Sequence, residues 1–333
     1  DSVGQITPAA AALKSAGIEP VELREKEGLA LINGTDGMLG MLIMAIDDLS
    51  MLCDSVDVTA AMSVEALLGT DQVFLPELHA PLRPQIGQAV SAANIFALLK
   101  NSGIVASHRE NDSRVQDAYS LRCAPQVNGA VRDTVSYAST IAQRELASNI
   151  DNPVVLPDGR VESNGNFHGA PVGYVLDFLA IAAADLGSIA ERRTDRALDQ
   201  HRSAGLSPFL ANDPGVDSGL MIAQYTQAGL VSENKRLATP ASVDSIPSSG
   251  MQEDHVSMGW SAARKLRKVV ENLARILAIE LVTAARAIEL REGLIPSPAT
   301  GRVVKELRKV VPGVGPDRFL SPELEAATTL VNS

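Results

Sequence analysis

The stretch that decides the fold is DHVSMGWSAARKLRKVVENLARILAIELVTAARAIEL, residues 254–290. Its apolar residues Leu266, Val270, Leu273 and Leu277 recur at steps of three and four, which is the period of one helix face. One glycine interrupts the pattern. A single helix of this length would extend roughly 55 Å at about 1.5 Å per residue. A rod of that length predicts an extended helical bundle that is completed by other subunits.

The composition supports a large, mainly helical protein and excludes several partners. Hydrophobic residues make up 45% of the 333 residues, but aromatic residues only 3%. Long helices that pack closely through small residues have this composition. The net charge of −11 argues against nucleic acid and against an anionic membrane surface, because both require a basic protein surface.

The cysteines and the apolar runs favour a reduced, cytoplasmic compartment. Cys53 and Cys123 are too few for a disulfide framework in a chain of this length. The apolar run 38–46 is too short to span a bilayer, and residues 1–10 do not read as a signal peptide. We therefore expect a cytoplasmic protein without a membrane partner.

The remaining segments predict an all-α protein with one small hairpin. A Pro-Asp-Gly turn between two valine-containing runs predicts a β-hairpin near 154–162. We expect one region over 1–333, divided into an entry segment 1–35, a central bundle 36–295 and C-terminal helices 296–333. Apolar spacing predicts further helices at 9–15, 36–53, 63–68, 84–99, 126–148, 171–197, 218–237, 303–310 and 322–331.

The segment VQDAYSLRC, residues 115–123, concentrates polar chemistry in a few positions. If it is helical, Gln116, Tyr119 and Arg122 share one face at spacings i, i+3 and i+6. That face would grip a small anion, with Arg122 as a bidentate carboxylate ligand. The alternative is a polar helix end held by a structural pair between Arg122 and Asp117.

Three other sites place polar or aromatic groups where helices begin or loops turn. Asn33 opens the turn NGTDG, where it either serves the turn or faces inward. Phe167 lies in a loop rich in Gly and Asn. Glu253 stands beside an amide and a histidine, whereas Asp254 is more simply a cap for the long helix.

No cofactor or metal motif is present. The sequence lacks GxGxxG after a strand, a P-loop and GxSxG. The five histidines are scattered without metal-ligand spacing, so we expect no metal. These features leave open a lyase, which would need an added electrophile, and a ligand-binding bundle.

Several blocks in collinear order resemble the histidine ammonia-lyases, within the aromatic amino acid ammonia-lyase family. They are EKEGLALINGTDG (25–37), QDAYSLRCAPQVNG (116–129), NIDNPV (149–154), NGNFHGAPV (164–172) and SVDSIPSSGMQEDHVSM (242–258). The resemblance implies a long helical bundle of the fumarase/aspartase-like type, assembled as a homotetramer with shared active sites. It also implies non-oxidative deamination of L-histidine to trans-urocanate and ammonia.

The resemblance also implies catalytic roles. Asn33 would hydrogen-bond the family's electrophile, the methylidene-imidazolone group (MIO). Tyr119 would lie beside that group and the departing amine. Glu253 would face the substrate and take part in catalysis.

Substrate-binding roles follow from the same blocks. Arg122 would hold the substrate carboxylate, Gln116 would line the pocket, and Phe167 would pack on the substrate ring. Glu253 favours histidine, because relatives that act on phenylalanine or tyrosine tend to carry Gln there. A carboxylate can accept a hydrogen bond from imidazole and stabilise its charged form.

One feature of the family is missing from these residues. MIO forms from an internal Ala-Ser-Gly, which the 333 residues do not contain; Ser2-Val3-Gly4 does not match it. We therefore expect this chain to be inactive alone, as part of a longer or split enzyme. The alternatives are a lyase or aminomutase of another aromatic amino acid, and a non-catalytic helical oligomer that binds a small ligand.

Overall fold

The computed structural model describes residues 4–112 and 114–333. Two of the residues considered above as a poor match to the MIO triplet, Ser2 and Val3, lie outside this range. The chain forms two compact units. The small unit comprises Asp1–Gly37 and Asn149–His168, and the large unit comprises Met38–Ser148 and Gly169–Ser333. The predicted divisions at residues 35 and 295 remain predictions.

The described residues form twelve α-helices and one two-stranded sheet, so the prediction of a mainly helical protein is confirmed. In chain order the elements are α1 (Ala9–Ser15), α2 (Glu27–Asn33), α3 (Asp36–Ala66), α4 (Ile86–Leu98), α5 (Gly103–Ala106), α6 (Tyr119–Arg122), α7 (Ala124–Leu146), β1 (Val154–Val155), β2 (Val161–Glu162), α8 (Ala170–Leu198), α9 (Met221–Leu237), α10 (Gly259–Glu289), α11 (Pro298–Leu307) and α12 (Ser321–Val331).

Helix α10 is the centre of the large unit. It packs most extensively on α8 and also contacts α9 and α12. Its apolar face, which includes Leu266, Leu273 and Leu277, is fully buried. Burial of that stripe stabilises the bundle, at about 25 cal/mol per Å² of apolar surface removed from water.

Helix α10 begins later than the sequence predicted. Its first residue is Gly259, so this glycine starts the helix rather than interrupting it, and the 31 residues extend about 46 Å. The interpretation of Asp254 as the helix cap is wrong, because Met258 occupies the cap position. The preceding residues instead form a loop in which Ser248 and Glu253 pair in an antiparallel bridge.

Helix α3 is one helix of 31 residues, although the sequence predicted an end near Cys53 and a second short helix at 63–68. Polar side chains in its second half are buried and bonded to other helices. Asp57, for example, accepts hydrogen bonds from Asn128 at 2.9 Å and from Arg132 at 2.7 Å. Because those partners lie more than 70 positions away, local periodicity does not reveal that the helix continues.

Helices α4 and α7 cross at very close range through two glycines. A Cβ at Gly87 would lie 2.1 Å from the carbonyl oxygen of Gly129, and a Cβ at Gly129 would lie 2.2 Å from the Gln88 nitrogen. Backbones can approach this closely only where side chains are absent. The crossing fixes the position of α7, which follows α6 directly.

The small unit contains the predicted hairpin. Strands β1 and β2 are antiparallel, with Val154 opposite Glu162 and Val155 opposite Val161, so this prediction is confirmed. Lys26 ties the start of α2 to the segment before the hairpin, since its Nζ lies 2.6 Å from the Asn152 carbonyl oxygen.

One described helix, α8, has the length and apolar composition needed to cross a membrane, and α2 with α3 passes the same test as one bent span. In the most apolar window of α8, 61% of the residues are buried inside the fold. Core helices of soluble proteins have the same property, so this observation is weak evidence for a membrane span.

Candidate active site

Tyr119 and Arg122 form the most distinctive polar pair of the large unit. They are the first and last residues of the single turn α6, whose amides bond back to Ala118 and Tyr119. The guanidinium carbon of Arg122 lies 4.6 Å from the Tyr119 ring centroid, and the tyrosine side chain is 71% exposed. The structure therefore brings these two predicted site residues together at the surface of the unit.

Gln116 does not share the helix face that the spacing predicted. It precedes α6 in a bend, and Ala118 is extended with ψ 154°, so the expected i, i+3, i+6 arrangement is wrong for this residue. Its side chain is exposed, and no described residue hydrogen-bonds it. Gln116 is thus an exposed amide just upstream of the turn rather than a third member of its face.

Asp117 is a structural residue, and its partner is not Arg122. One carboxylate oxygen accepts the Thr70 amide at 2.7 Å, and the other lies 3.3 Å from Arg114 Nη1. Arg114 in turn donates to the Leu67 carbonyl at the end of α3. The alternative of an Arg122–Asp117 pair is therefore wrong. Arg114 and Asp117 instead attach the segment before α6 to the residues that follow α3.

Arg122 has no carboxylate partner among the described residues. Its Nε is buried without a hydrogen bond, and the remainder of the side chain is half-buried. A buried donor without an acceptor costs about 1–3 kcal/mol. The two terminal nitrogens, which also have no carboxylate partner among the described residues, could bind a ligand carboxylate, because guanidinium and carboxylate groups match in a bidentate geometry.

Glu253 lies on an exposed loop rather than at the mouth of α10. The Ser248 hydroxyl donates to its Oε2 at 2.6 Å, and the two residues also exchange backbone hydrogen bonds. Hydrogen bonds from Ser248 and Ser249 lower the pKa of the Glu253 carboxyl. The group is therefore a fixed, ionised carboxylate at neutral pH, suited to accept a hydrogen bond from a nitrogen heterocycle.

Asn33 and Phe167 belong to the small unit. Asn33 is the last residue of α2, and its exposed side chain has no hydrogen bond to a described residue. A Cβ at Gly34, in the following turn, would lie 2.6 Å from Ile150 Cδ1, so a larger residue there would require the Ile150 side chain to shift. Phe167 is exposed in a loop that Asn164 fixes through hydrogen bonds to the segment before the hairpin.

Sequence reasoning missed the polar network behind α6. Arg193 of α8 and Glu280 of α10 form a fully buried ion pair, and Arg193 Nη1 also donates to the Ser120 carbonyl at 3.3 Å. The two partners are 87 positions apart, and each falls within an amphipathic helix pattern. No local signal distinguishes them from surface charges.

Comparison with known proteins decides the family. A family model described as aromatic amino acid lyase matches residues 1–309. This chain belongs to the aromatic amino acid lyase family. It is 70% identical over 329 residues to a histidine ammonia-lyase of Streptomyces avermitilis, and 68% identical over 331 residues to that of Streptomyces coelicolor. The matches cover 98% and 99% of this chain but 64% of each relative, so the chain spans just under two thirds of their length.

Solved structures of the family share the fold. A tyrosine aminomutase from Streptomyces globisporus superposes with a TM-score of 0.91 at 38% identity, over 99% of this chain and 66% of that one. A histidine ammonia-lyase from Trypanosoma cruzi superposes with a TM-score of 0.87 at 41% identity, over 97% of this chain and 61% of that one. The predicted family and its helical fold are both confirmed.

The aromatic amino acid lyase resemblance raised the question of an MIO group. Within the small unit, Asn33 offers an exposed side-chain amide that no described residue engages, which fits a donor to such a carbonyl-bearing group. No cluster of metal-ligating side chains occurs in the described ranges. The Asn33 amide fits a hydrogen-bond donor to the organic group.

Proposed function

We propose that this chain carries the substrate-binding part of a histidine ammonia-lyase, which converts L-histidine to trans-urocanate and ammonia without oxidation. The observation that carries the proposal is the half-buried guanidinium of Arg122, which stacks on exposed Tyr119 and has no carboxylate partner among the described residues. Relatives at 68–70% identity that are named histidine ammonia-lyase support the choice of substrate.

Arg122 binds the substrate carboxylate in this proposal. Its two terminal nitrogens offer parallel N–H groups that match the two carboxylate oxygens. Gln116 lies upstream of the turn with an unengaged amide, which can orient the bound amino acid. Phe167 supplies an exposed aromatic face for the imidazole ring.

Tyr119 and Glu253 act on the reacting groups. The phenol oxygen of Tyr119 lies on the same turn as the carboxylate-binding Arg122, so it holds or accepts a proton near the departing amine. The ionised carboxylate of Glu253 accepts the imidazole N–H and stabilises the positive form of the ring. Asn33 would donate a hydrogen bond to the MIO group, which would supply an electrophile that the twenty side chains lack.

The complete protein is proposed to be a cytoplasmic homotetramer with shared active sites. Large apolar side chains such as Tyr137 on α7 and Phe178 and Ile181 on α8 are exposed in the isolated chain. Burial of such a patch against another subunit would remove it from water. The net charge of −11 supports a protein that binds neither nucleic acid nor an anionic membrane.

A tyrosine aminomutase activity is the second candidate, because that structure superposes with a TM-score of 0.91. Its identity of 38% is far below the 70% of the histidine ammonia-lyase relative, and this favours histidine.

The test is product analysis with the complete, MIO-bearing enzyme that contains this chain. L-histidine, L-tyrosine and L-phenylalanine are supplied separately, and the products are separated and quantified. We expect urocanate and ammonia in equal amounts from L-histidine and little turnover of the other two. A β-amino acid product, or preferred turnover of tyrosine, would contradict the proposal.

A further inference from the structure

We propose that the buried Arg193–Glu280 ion pair positions the Tyr119–Arg122 turn and thereby controls carboxylate binding. The inference rests on the proposed function, since it assumes that Arg122 binds a carboxylate. Arg193 is a positioning residue here, because it acts on the substrate through the Ser120 backbone and does not touch it.

The ion pair is held in place because each carboxylate oxygen of Glu280 accepts two hydrogen bonds. Arg193 Nε lies 2.5 Å from Glu280 Oε1, and Nη2 lies 3.0 Å from Oε2, so the pair is bidentate. The side chains are 0% and 1% exposed. Thr59 and Ser63 of α3 each donate a hydroxyl to the same carboxylate at 2.8 Å. Three long helices therefore fix the orientation of one guanidinium.

The same guanidinium reaches α6. Arg193 Nη1 donates to the carbonyl oxygen of Ser120, the residue that follows Tyr119. Helix α6 is only four residues long, and an isolated turn of that length has no stability of its own in water. Leu121, at 2% exposure, anchors it in an apolar cluster that includes Ala197 of α8. We infer that Leu121 sets the depth of the turn and that Arg193 sets its rotation.

A charged pair is not needed here for stability alone. Apolar residues of similar volume commonly replace a buried ion pair without loss of stability. They cannot, however, donate a hydrogen bond to the Ser120 carbonyl. The guanidinium has five N–H donors, enough to bind Glu280 through two and Ser120 through a third. The charged pair at this position therefore supplies a hydrogen bond to the α6 backbone that an apolar pair would lack.

The experiment uses the complete enzyme and separates stability from positioning. The single variants Arg193→Met and Glu280→Gln each leave an unpaired polar group, and we expect both to unfold at lower temperature. The double variant Arg193→Met/Glu280→Gln removes both charges, so we expect thermal stability to recover. Its KM for L-histidine should nevertheless rise about 10-fold to 100-fold, since misplacement of a binding group by about 1 Å has an effect of this size.

Two further measurements identify the cause. L-histidinol lacks the carboxylate, so its inhibition constant should be unchanged in the double variant. Amide hydrogen exchange at Leu121, Arg122 and Cys123, whose N–H groups close the α6 turn, should become faster. The control is Arg318→Met/Glu323→Gln, which removes a bidentate pair of similar geometry in the C-terminal segment. It should change neither the KM for L-histidine nor the exchange rates of the α6 amides.

The Arg122→Ala variant distinguishes failure of this positioning role from failure of the proposed function. Arg122→Ala is assayed in parallel, and an unchanged KM for L-histidine in that variant would refute the carboxylate role of Arg122. The α6 exchange rates would still test whether Arg193 positions the turn. If Arg122→Ala raises KM but the stable double variant keeps wild-type KM and wild-type exchange, the positioning role of Arg193 is overturned.

Discussion

The guanidinium of Arg122 stacks on the ring of Tyr119, with 4.6 Å between the guanidinium carbon and the ring centroid. The contact joins the two ends of a single helical turn and contributes about 0.5–1 kcal/mol at an exposed site. It engages the flat face of the guanidinium and leaves the edges of the two terminal nitrogens without a carboxylate partner among the described residues. A ligand carboxylate approaches along those edges, so stacking and binding are compatible.

Arg122→Ala should weaken binding of L-histidine by about 2–5 kcal/mol, because it removes both the charge and the bidentate geometry. Arg122→Lys should recover only part of this loss, since an ammonium group is a point charge without a planar fork. KM and the inhibition constants of carboxylate-bearing analogues measure the effect. Arg236→Ala, at a side chain that is 73% exposed, is the control and should behave as wild type. A loss confined to thermal stability would remove Arg122 from the site.

Glu253→Gln should lower turnover of L-histidine far more than it lowers protein stability. The amide keeps the size of the side chain but cannot stabilise a positively charged imidazole. The ratio of kcat/KM for L-histidine to kcat/KM for L-phenylalanine should fall. Glu306→Gln, at an exposed glutamate of α11, serves as the matched control. An unchanged ratio would refute the role of Glu253 in substrate choice.

Ser248→Ala should raise the pKa of Glu253. The hydrogen bond from Ser248 is the first cause of the lowered pKa, and it stabilises the ionised form. The pKa of Glu253 in the folded protein lies below its ordinary value of 4.5. The stability that this contact contributes is therefore present in full above pH 4.5, and it is lost as the pH falls through the folded pKa.

Isotope-edited NMR of the Glu253 carboxyl carbon follows this titration directly. In the Ser248→Ala variant the midpoint should move to higher pH, and the acidic limb of kcat/KM should move with it. Ser245→Ala changes a serine that bonds the Val256 backbone instead and should leave the midpoint in place. An unshifted midpoint in Ser248→Ala would contradict the assignment.

Gly129→Ala should destabilise the protein by about 3 kcal/mol or more, because the added methyl would overlap the α4 backbone. Gly229→Ala is the matched control within a helix, since its Cβ meets nothing within 4 Å. That change should instead stabilise by about 0.5–1 kcal/mol. Urea unfolding measures both. Equal effects of the two substitutions would show that α4 and α7 do not cross as closely as described.

The purified 333-residue chain should form no urocanate from L-histidine. Its sequence contains no Ala-Ser-Gly from which MIO can form, and its remaining polar groups bind and orient but supply no electrophile. Addition of a polypeptide that carries the triplet, followed by assay for urocanate, is the positive control. Urocanate production by the chain alone would contradict this expectation.

Much of the architecture was predictable from local pattern. The apolar spacing of α10, the Pro-Asp-Gly turn of the hairpin and the low aromatic content are properties of neighbouring residues, so the sequence alone determined the helical class. The same holds for Tyr119 and Arg122, whose spacing brings them together within one turn. Collinear blocks of residues determined the family.

The tertiary structure decided which charges are structural and which are available. Asp117 pairs with Arg114 and accepts the Thr70 amide, and Arg122 is left without a carboxylate, whereas the sequence had left open a structural pair between Arg122 and Asp117. The unbroken length of α3 and the pairing of Arg193 with Glu280 depend on residues many positions away. These pairings follow from burial, because an unpaired polar group inside the protein is costly. Its partner is therefore a residue that packing brings close, however distant that residue is in the sequence.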